Sequence, residues 1–544
     1  MICKSLTRLG FKLRSAIPAR WIYFAALFLV IAFGVELRAW LYISAPALWL
    51  DETSWAIKLV SQPLQALYVR PIGFMWASLQ VVQSFGFSEL TLRAIPFLAS
   101  CATLPVAWLI LREMLTSRWL QLLGVLAFSI HPWFIDYGTE FKPYALELFL
   151  HLLFAWCCLR EQRQPRSLLV LAAVAGGAAL SFLLAYNLIF LYPAFFGVHV
   201  LATLRRKRHL ELSPVRLRMT ILGAAALSAA GLILWIRQTA LSVVVQQDES
   251  PYWANKYGVF FGDSERAGTT RVDWLVTKYL GFTEAPAQLR EWGWNHLGIG
   301  AEASGEFTTL LNLAWLLLHF WGIRALLRRG RLSWLVLLLS PTLVAVLFNF
   351  IGKWPFGVFR TNLFLLGYFV ILGFVGLDSL RSERNPMLRR LALLLAFALV
   401  LPASWIAAGG RREKAWGTAN MRDGLALIAR LSARPDFIGH QVPIYCDSYS
   451  CWDLDAYINY HTGFMARYHE MFRNAYRIRR GSRVRDITAN LKRQATGPAL
   501  IFLSRTSEFD EARRKLPALC SSLTFYDQLQ SPLVAVCVRG RPPG

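Results

Sequence analysis

Acidic residues are scarce in this chain: 33 Asp and Glu stand against 58 Lys and Arg among 544 residues, and charged residues make up only 17% of the whole. Soluble globular proteins hold about 45–50% apolar residues. The 56% found here, with a mean hydropathy of +0.40, exclude a string of soluble domains over residues 1–408 and require many membrane spans, each of roughly 17–25 apolar residues. The sequence also lacks a basic stripe or any nucleic-acid-binding motif. Its net charge of +25 comes from Lys and Arg clustered between apolar runs, the distribution that the positive-inside rule produces, so nucleic acid is not an expected partner. No internal repeat and no low-complexity linker is present.

What is there can be threaded through a bilayer. The basic stretch MICKSLTRLGFKLRSAIPAR precedes an apolar run in the manner of a signal peptide. Further runs follow, so the first reads as a retained anchor. Eleven spans are expected, at 21–46, 91–111, 119–135, 144–159, 167–185, 187–204, 219–236, 308–323, 332–351, 361–379 and 391–408. With the N-terminus cytoplasmic, the loops at 111–118, 160–166, 205–218, 324–331 and 381–390 fall inside, and each is basic. The loops at 47–90, 136–143, near 186, 237–307 and 352–360 fall outside, as does everything after 408. The apolar segment 70–87 would invert this parity if it crossed, so it is expected to lie along the outer interface; the alternative is a true span with a miscounted partner.

The fold class expected is therefore an α-helical polytopic membrane domain, residues 1–408, followed by an extracytoplasmic α/β domain, residues 409–544. In the latter, an amphipathic helical pattern over 409–437 precedes the short apolar runs VPIYC, GPALIFLS and PLVAVCV, which read as strands. Four of the eight cysteines, Cys446, Cys451, Cys520 and Cys537, lie in this tail. An oxidising compartment favours disulfides there; the expected pairs are Cys446–Cys451 and Cys520–Cys537, with free buried thiols as the alternative. The CDSYSC spacing has no second close pair of ligands, which argues against zinc. His131 and His461 read as structural residues.

The few carboxylates are then informative. Asp51 and Glu52 follow the first span, at the edge of a bilayer where charge is costly unless paired or solvated. A plain helix N-cap would also explain Asp51. The second outer loop holds Asp136, Glu140, Lys142 and Tyr144 in HPWFIDYGTEFKPYALEL; an interfacial aromatic belt with a snorkelling lysine is the bland reading. Arg70, Lys142, Lys353 and Arg360 are basic residues in outer loops, where the positive-inside rule leaves few. Such cations suit a phosphate, or simply anionic headgroups. Carboxylate bases activate hydroxyls, cations stabilise a departing phosphate, and aromatic faces suit sugars. Sugar transfer from a lipid phosphate fits all three.

These motifs, LDETSWA, RPIGFMWASLQVVQSFGFSELTLRAIP, DYGTEFKPYALEL and WPFGVFRTNLFLL, resemble in order those of the C-type (GT-C) membrane glycosyltransferases, specifically family 39, the protein O-mannosyltransferases and lipid A aminoarabinose transferases. The resemblance covers nearly all of the membrane part and is weak in the tail. It implies a polyprenyl-phosphate-linked monosaccharide as donor and an inverting displacement. It places Asp51 as catalytic base with Glu52 beside it, and Arg70 on the lipid phosphate. Glu140, Lys142 and Tyr144 fall in the second motif and Arg360 in the late one, with Lys353 just before it as a further outer-loop cation for the donor phosphate. It implies an envelope glycan, lipid (lipid A or lipopolysaccharide) or protein acceptor, and a site in the bacterial inner membrane facing the periplasm. Two departures stand out. Val69 precedes Arg70–Pro71 where the aminoarabinose transferases carry Glu, so a metal site using that Glu is not supported, while a divalent cation is otherwise left open. Lys142 stands where many relatives carry Arg, keeping the charge but losing the bidentate fork. Two other readings compete: a transporter or flippase, which usually shows midplane charge and paired halves, with Glu147 and His151 the clearest internal polar residues here; and a glycan ligase or polymerase using a diphosphate-linked donor.

Overall fold

Residues 19–244, 270, 301–395 and 421–539, less short stretches of up to six residues within them, are described by the computed structural model. The first helix, α1 (Ala19–Ser44), has 26 residues, about 39 Å at the helical rise of about 1.5 Å, which exceeds a hydrocarbon core of about 30 Å. Five helices among the described residues are long and apolar enough to cross a membrane, with a sixth if a pair bent by 117° counts as one. That bent pair is Pro132–Thr139 and Tyr144–Arg163.

Among the described residues, length and apolar character alone do not account for the expected eleven. The expected third span breaks at His131, whose ring accepts the Trp133 N–H while Pro132 opens the next short helix, a position proline favours. The expected sixth opens as 3₁₀ over Tyr186–Phe190 before the helix Tyr192–Arg206. The expected eighth is the 28-residue helix Ala301–Arg328. The eleventh lies largely outside the described residues, as does most of the 237–307 loop. The segment 70–87 forms α3 (Ile72–Phe85) after α2 (Leu50–Ser61). Its 14 residues give about 21 Å, short of a crossing, in keeping with its assignment to the first loop.

Helix α4 (Glu89–Met114) starts at a capping box between Ser88 and Thr91. It packs on α1, α3, α5 (Arg118–Ile130) and α6 (Tyr144–Arg163). The late helix Leu363–Ser382 is buried along nearly its whole length. It lies against Ala301–Arg328 so closely that a Cβ on Gly376 would collide with the Leu318 carbonyl, the close approach that small residues permit between membrane helices.

The C-terminal part carries a five-stranded sheet in the order β2-β1-β3-β5-β4. β1 (Pro443–Cys446) runs parallel to β2 (Arg477–Arg480) and β3 (Gly497–Leu503); β5 (Leu533–Arg539) is antiparallel to β3 and to β4 (Ser522–Tyr526). β1, β3 and β5 are the three apolar runs. β2 and β4 are the additions, at the two edges, where an arginine-alternating strand like RIRR resists further pairing. Both disulfides, Cys446–Cys451 and Cys520–Cys537, join the expected partners. One apolar core runs without interruption from the membrane helices through Leu48 and Phe87 into Tyr457 and Phe464 of the C-terminal part.

Candidate active site

Consecutive residues on a helix point about 100° apart, so the two adjacent acids of α2 cannot serve one opening. Asp51 turns to the rim: its Oδ2 accepts a 2.7 Å bond from Arg360 Nη1, and the side chain is 36% exposed. Glu52 turns inward and is fully buried. Its Oε1 accepts from Arg93 Nε at 2.8 Å and from the Phe141 N–H at 2.6 Å, while Oε2 accepts from Arg93 Nη2 at 2.6 Å. Glu52 thus fastens the backbone of the second loop to α2 and α4 rather than facing the rim.

That anchor places the neighbours of Phe141. Phe141 itself is buried against Phe74 of α3. Glu140 and Lys142 on either side are buried at the bend before α6. Lys142 Nζ lies 3.9 Å from the centroid of the Trp55 ring, and the Arg70 guanidinium lies 4.7 Å from it. Two cations therefore share one indole, whose π face attracts both. Trp55 follows Asp51 by four residues and so lies on the same face of α2. Burial pushes the Lys142 ammonium down to about 7; Arg70 and Arg360 press the same way, and Asp51 and Glu140 oppose them. Tyr137, buried beside Glu140, Tyr144 and Arg360, is held well above the ordinary phenol range, chiefly by burial.

The third loop is fastened by its own polar groups. Asn349 Nδ2 donates to the Trp354 carbonyl, Trp354 Nε1 to Asn362 Oδ1, and Asn362 Nδ2 to the Pro355 carbonyl, at 2.8–2.9 Å. This brace carries Arg360 to Asp51. Lys353 is exposed in the preceding turn and makes no bond with the cluster among the described residues. Three loops assigned to one side from charge alone thus meet: Asp51, Arg70, Glu140, Lys142, Tyr144 and Arg360 form one group, Glu52 lies beneath it and Lys353 apart. Trp55 and Arg93 were not singled out from the sequence; the spacing from Asp51 to Trp55 was the available signal. Among the described residues, no group of three or more His, Cys, Asp or Glu could hold a metal ion.

The arrangement offers one accessible carboxylate ringed by fixed cations and aromatic faces, which is the equipment for deprotonating a hydroxyl next to a phosphate. Residues 69–235 match the family model described as "Dolichyl-phosphate-mannose-protein mannosyltransferase". The class read from the loop motifs, a C-type membrane glycosyltransferase, is borne out over that segment. Among solved structures, ArnT from Cupriavidus metallidurans bound to undecaprenyl phosphate aligns at 13% identity with a TM-score of 0.49, covering 96% of this chain and 98% of that one. The apo state of the same protein aligns at 12% and 0.48, covering 94% and 98%. The Archaeoglobus fulgidus oligosaccharyltransferase in complex with Zn and sulfate aligns at 13% and 0.43, covering 79% and 61%. No curated relative matches the chain by sequence.

Proposed function

We propose that the protein transfers a monosaccharide from a polyprenyl-phosphate carrier to a hydroxyl of an envelope lipid, glycan or protein, with inversion, at the outer face of the bacterial inner membrane. The observation that carries this reading is the half-open Asp51 carboxylate held on Arg360 within reach of the paired cations on Trp55. In the proposed step, Asp51 takes the proton of the acceptor hydroxyl. The hydroxyl oxygen attacks the anomeric carbon, and the bond from that carbon to the phosphate oxygen breaks. The lipid phosphate leaves with the electron pair, and Arg70, Lys142 and Arg360 meet its charge. A donor phosphate that drew Arg360 to itself would also free the Asp51 oxygen. Glu52 acts as a positioning residue, since its oxygens are committed to Arg93 and the Phe141 N–H.

The test is transfer of label from radiolabelled polyprenyl-phosphate sugars, with a membrane extract as acceptor source, by purified wild type and Asp51→Asn. Wild type should move label to a product and the folded variant should be slower by about 10³-fold, within the range of general-base catalysis. Equal transfer by both would remove Asp51 from the chemistry and leave it as a favourable first-turn charge on α2. No transfer from any such donor by either protein would defeat the reading.

A further inference from the structure

The peptide group joining Ala47 to Leu48 is gripped at both ends. Its carbonyl accepts from Arg93 Nη2 at 3.3 Å, and its N–H donates to the Tyr457 hydroxyl at 3.0 Å. Arg93 belongs to the membrane part, and Tyr457 to the C-terminal helix Ser450–Asn459, which packs on α2. The Tyr457 proton goes to Glu89 Oε1 at 2.6 Å, so the hydroxyl donates once and accepts once. The other oxygen of Glu89 takes a 2.6 Å bond from His461 Nε2, while His461 Nδ1 accepts the Phe464 N–H at 2.9 Å. That second bond fixes Nε2 as the ring nitrogen bearing the proton. Glu89 and Arg93 stand one turn apart on α4, on one face. Tyr457 and Arg93 are almost wholly buried, as are Leu48 and Glu89. The helix bearing Tyr457 is fastened at its start by the Cys446–Cys451 disulfide.

This peptide leads directly into α2, three residues before Asp51. We propose that Tyr457 is a positioning residue for the transfer reaction: the C-terminal domain, through this hydroxyl, sets where the Asp51 carboxylate stands. The inference rests on the proposed role of Asp51. Its physical basis is that a base must meet its proton within hydrogen-bond distance, and a misplacement of about 1 Å can cost about 10²-fold. Because Tyr457 packs by its ring on His461 and Phe464, Tyr457→Phe keeps the seam filled and removes only the hydroxyl's bonds, the one accepted from the Leu48 N–H and the one donated to Glu89.

The experiment compares purified wild type, Tyr457→Phe and Thr462→Val. Thr462 bonds the Phe87 carbonyl at the same seam through its hydroxyl at 3.2 Å but does not touch the Leu48 peptide. Two quantities are read: hydrogen exchange of peptides covering 47–61, and kcat with KM for a polyprenyl-phosphate sugar. Tyr457→Phe should exchange about tenfold faster over 47–61 and lose about tenfold in kcat with KM within about twofold, while Thr462→Val matches wild type in both. Wild-type exchange in Tyr457→Phe, or an equal kcat loss in Thr462→Val, would overturn the proposal, leaving an ordinary seam contact. Should Tyr457→Phe not fold, Glu89→Gln, which weakens the hydroxyl's acceptor, is read the same way. If wild type itself transfers no sugar, the proposed reaction fails, and the exchange comparison still decides whether the hydroxyl holds this segment.

Discussion

The rim and the layer beneath it use the same chemistry to opposite ends. At the rim, Asp51 meets Arg360 through one bond and keeps 36% of its side chain exposed. Beneath, Glu52 meets Arg93 through both oxygens and has no exposure. A carboxylate with both oxygens committed in a dry interior is closed to a substrate, but it fixes everything attached to it. A carboxylate held by one bond in contact with water can exchange its partner. Adjacency in sequence concealed this division, because one residue of advance on a helix is enough to send a side chain from solvent to core.

The sharpest way to break the comparison is to remove the buried anchor. Glu52→Gln leaves Arg93 charged and half satisfied, and loss of one partner of a buried pair costs about 3–5 kcal/mol. We expect a large fall in the thermal midpoint of the detergent-purified protein, greater than for Asp51→Asn. Replacing both partners, Glu52→Leu with Arg93→Met, should recover part of that stability while activity stays low, since the Phe141 N–H then has no anchor. Equal midpoints for Glu52→Gln and Asp51→Asn would dissolve the distinction between the two layers.

At the rim the expected losses lie in rate rather than stability. Arg360→Ala should lower kcat/KM for the lipid-linked donor by about 100-fold and Arg360→Lys by about tenfold, because lysine keeps the charge without the planar fork. The thermal midpoint should hardly move in either case, as a partly exposed pair adds little to stability. A midpoint loss comparable to that of Glu52→Gln would make Arg360 a second structural anchor.

Much of the rim was legible because charge at a bilayer edge is costly and basic residues on the wrong side are rare. Asp51, Arg70, Lys142 and Arg360 announced themselves as exceptions, and the parity of the basic loops brought their three segments to one side. The buried layer was not legible. Arg93 lies inside an apolar helix and reads as one more charge near a span end. Tyr457 stands 409 residues from Leu48 and 368 from Glu89, and no local periodicity encodes such a meeting. The apolar strands β1, β3 and β5 were readable from composition, whereas the edge strand β2 carries arginines where the pattern asks for apolar residues. Span ends were blurred for a related reason: the run through 119–135 stays apolar across His131–Pro132, although the helix breaks there.

The finest distinction concerns which cation at the rim can be switched off. Arg70 and Arg360 stay charged at any ordinary pH, whereas Lys142, buried against Trp55, is pushed down to about 7. Its ammonium is present below that value and is lost as pH rises through it. Since kcat/KM reports the free enzyme, its value for the donor should fall by roughly 20-fold between about pH 6.5 and pH 8.5 if Lys142 must be charged to meet the phosphate. Lys142→Arg should remove that decline and hold the profile flat over the same range, at similar or slightly lower activity near pH 6.5. A wild-type profile that is already flat, or an unchanged decline in the arginine variant, would assign the charge that meets the phosphate to the two arginines and leave Lys142 as packing on the indole.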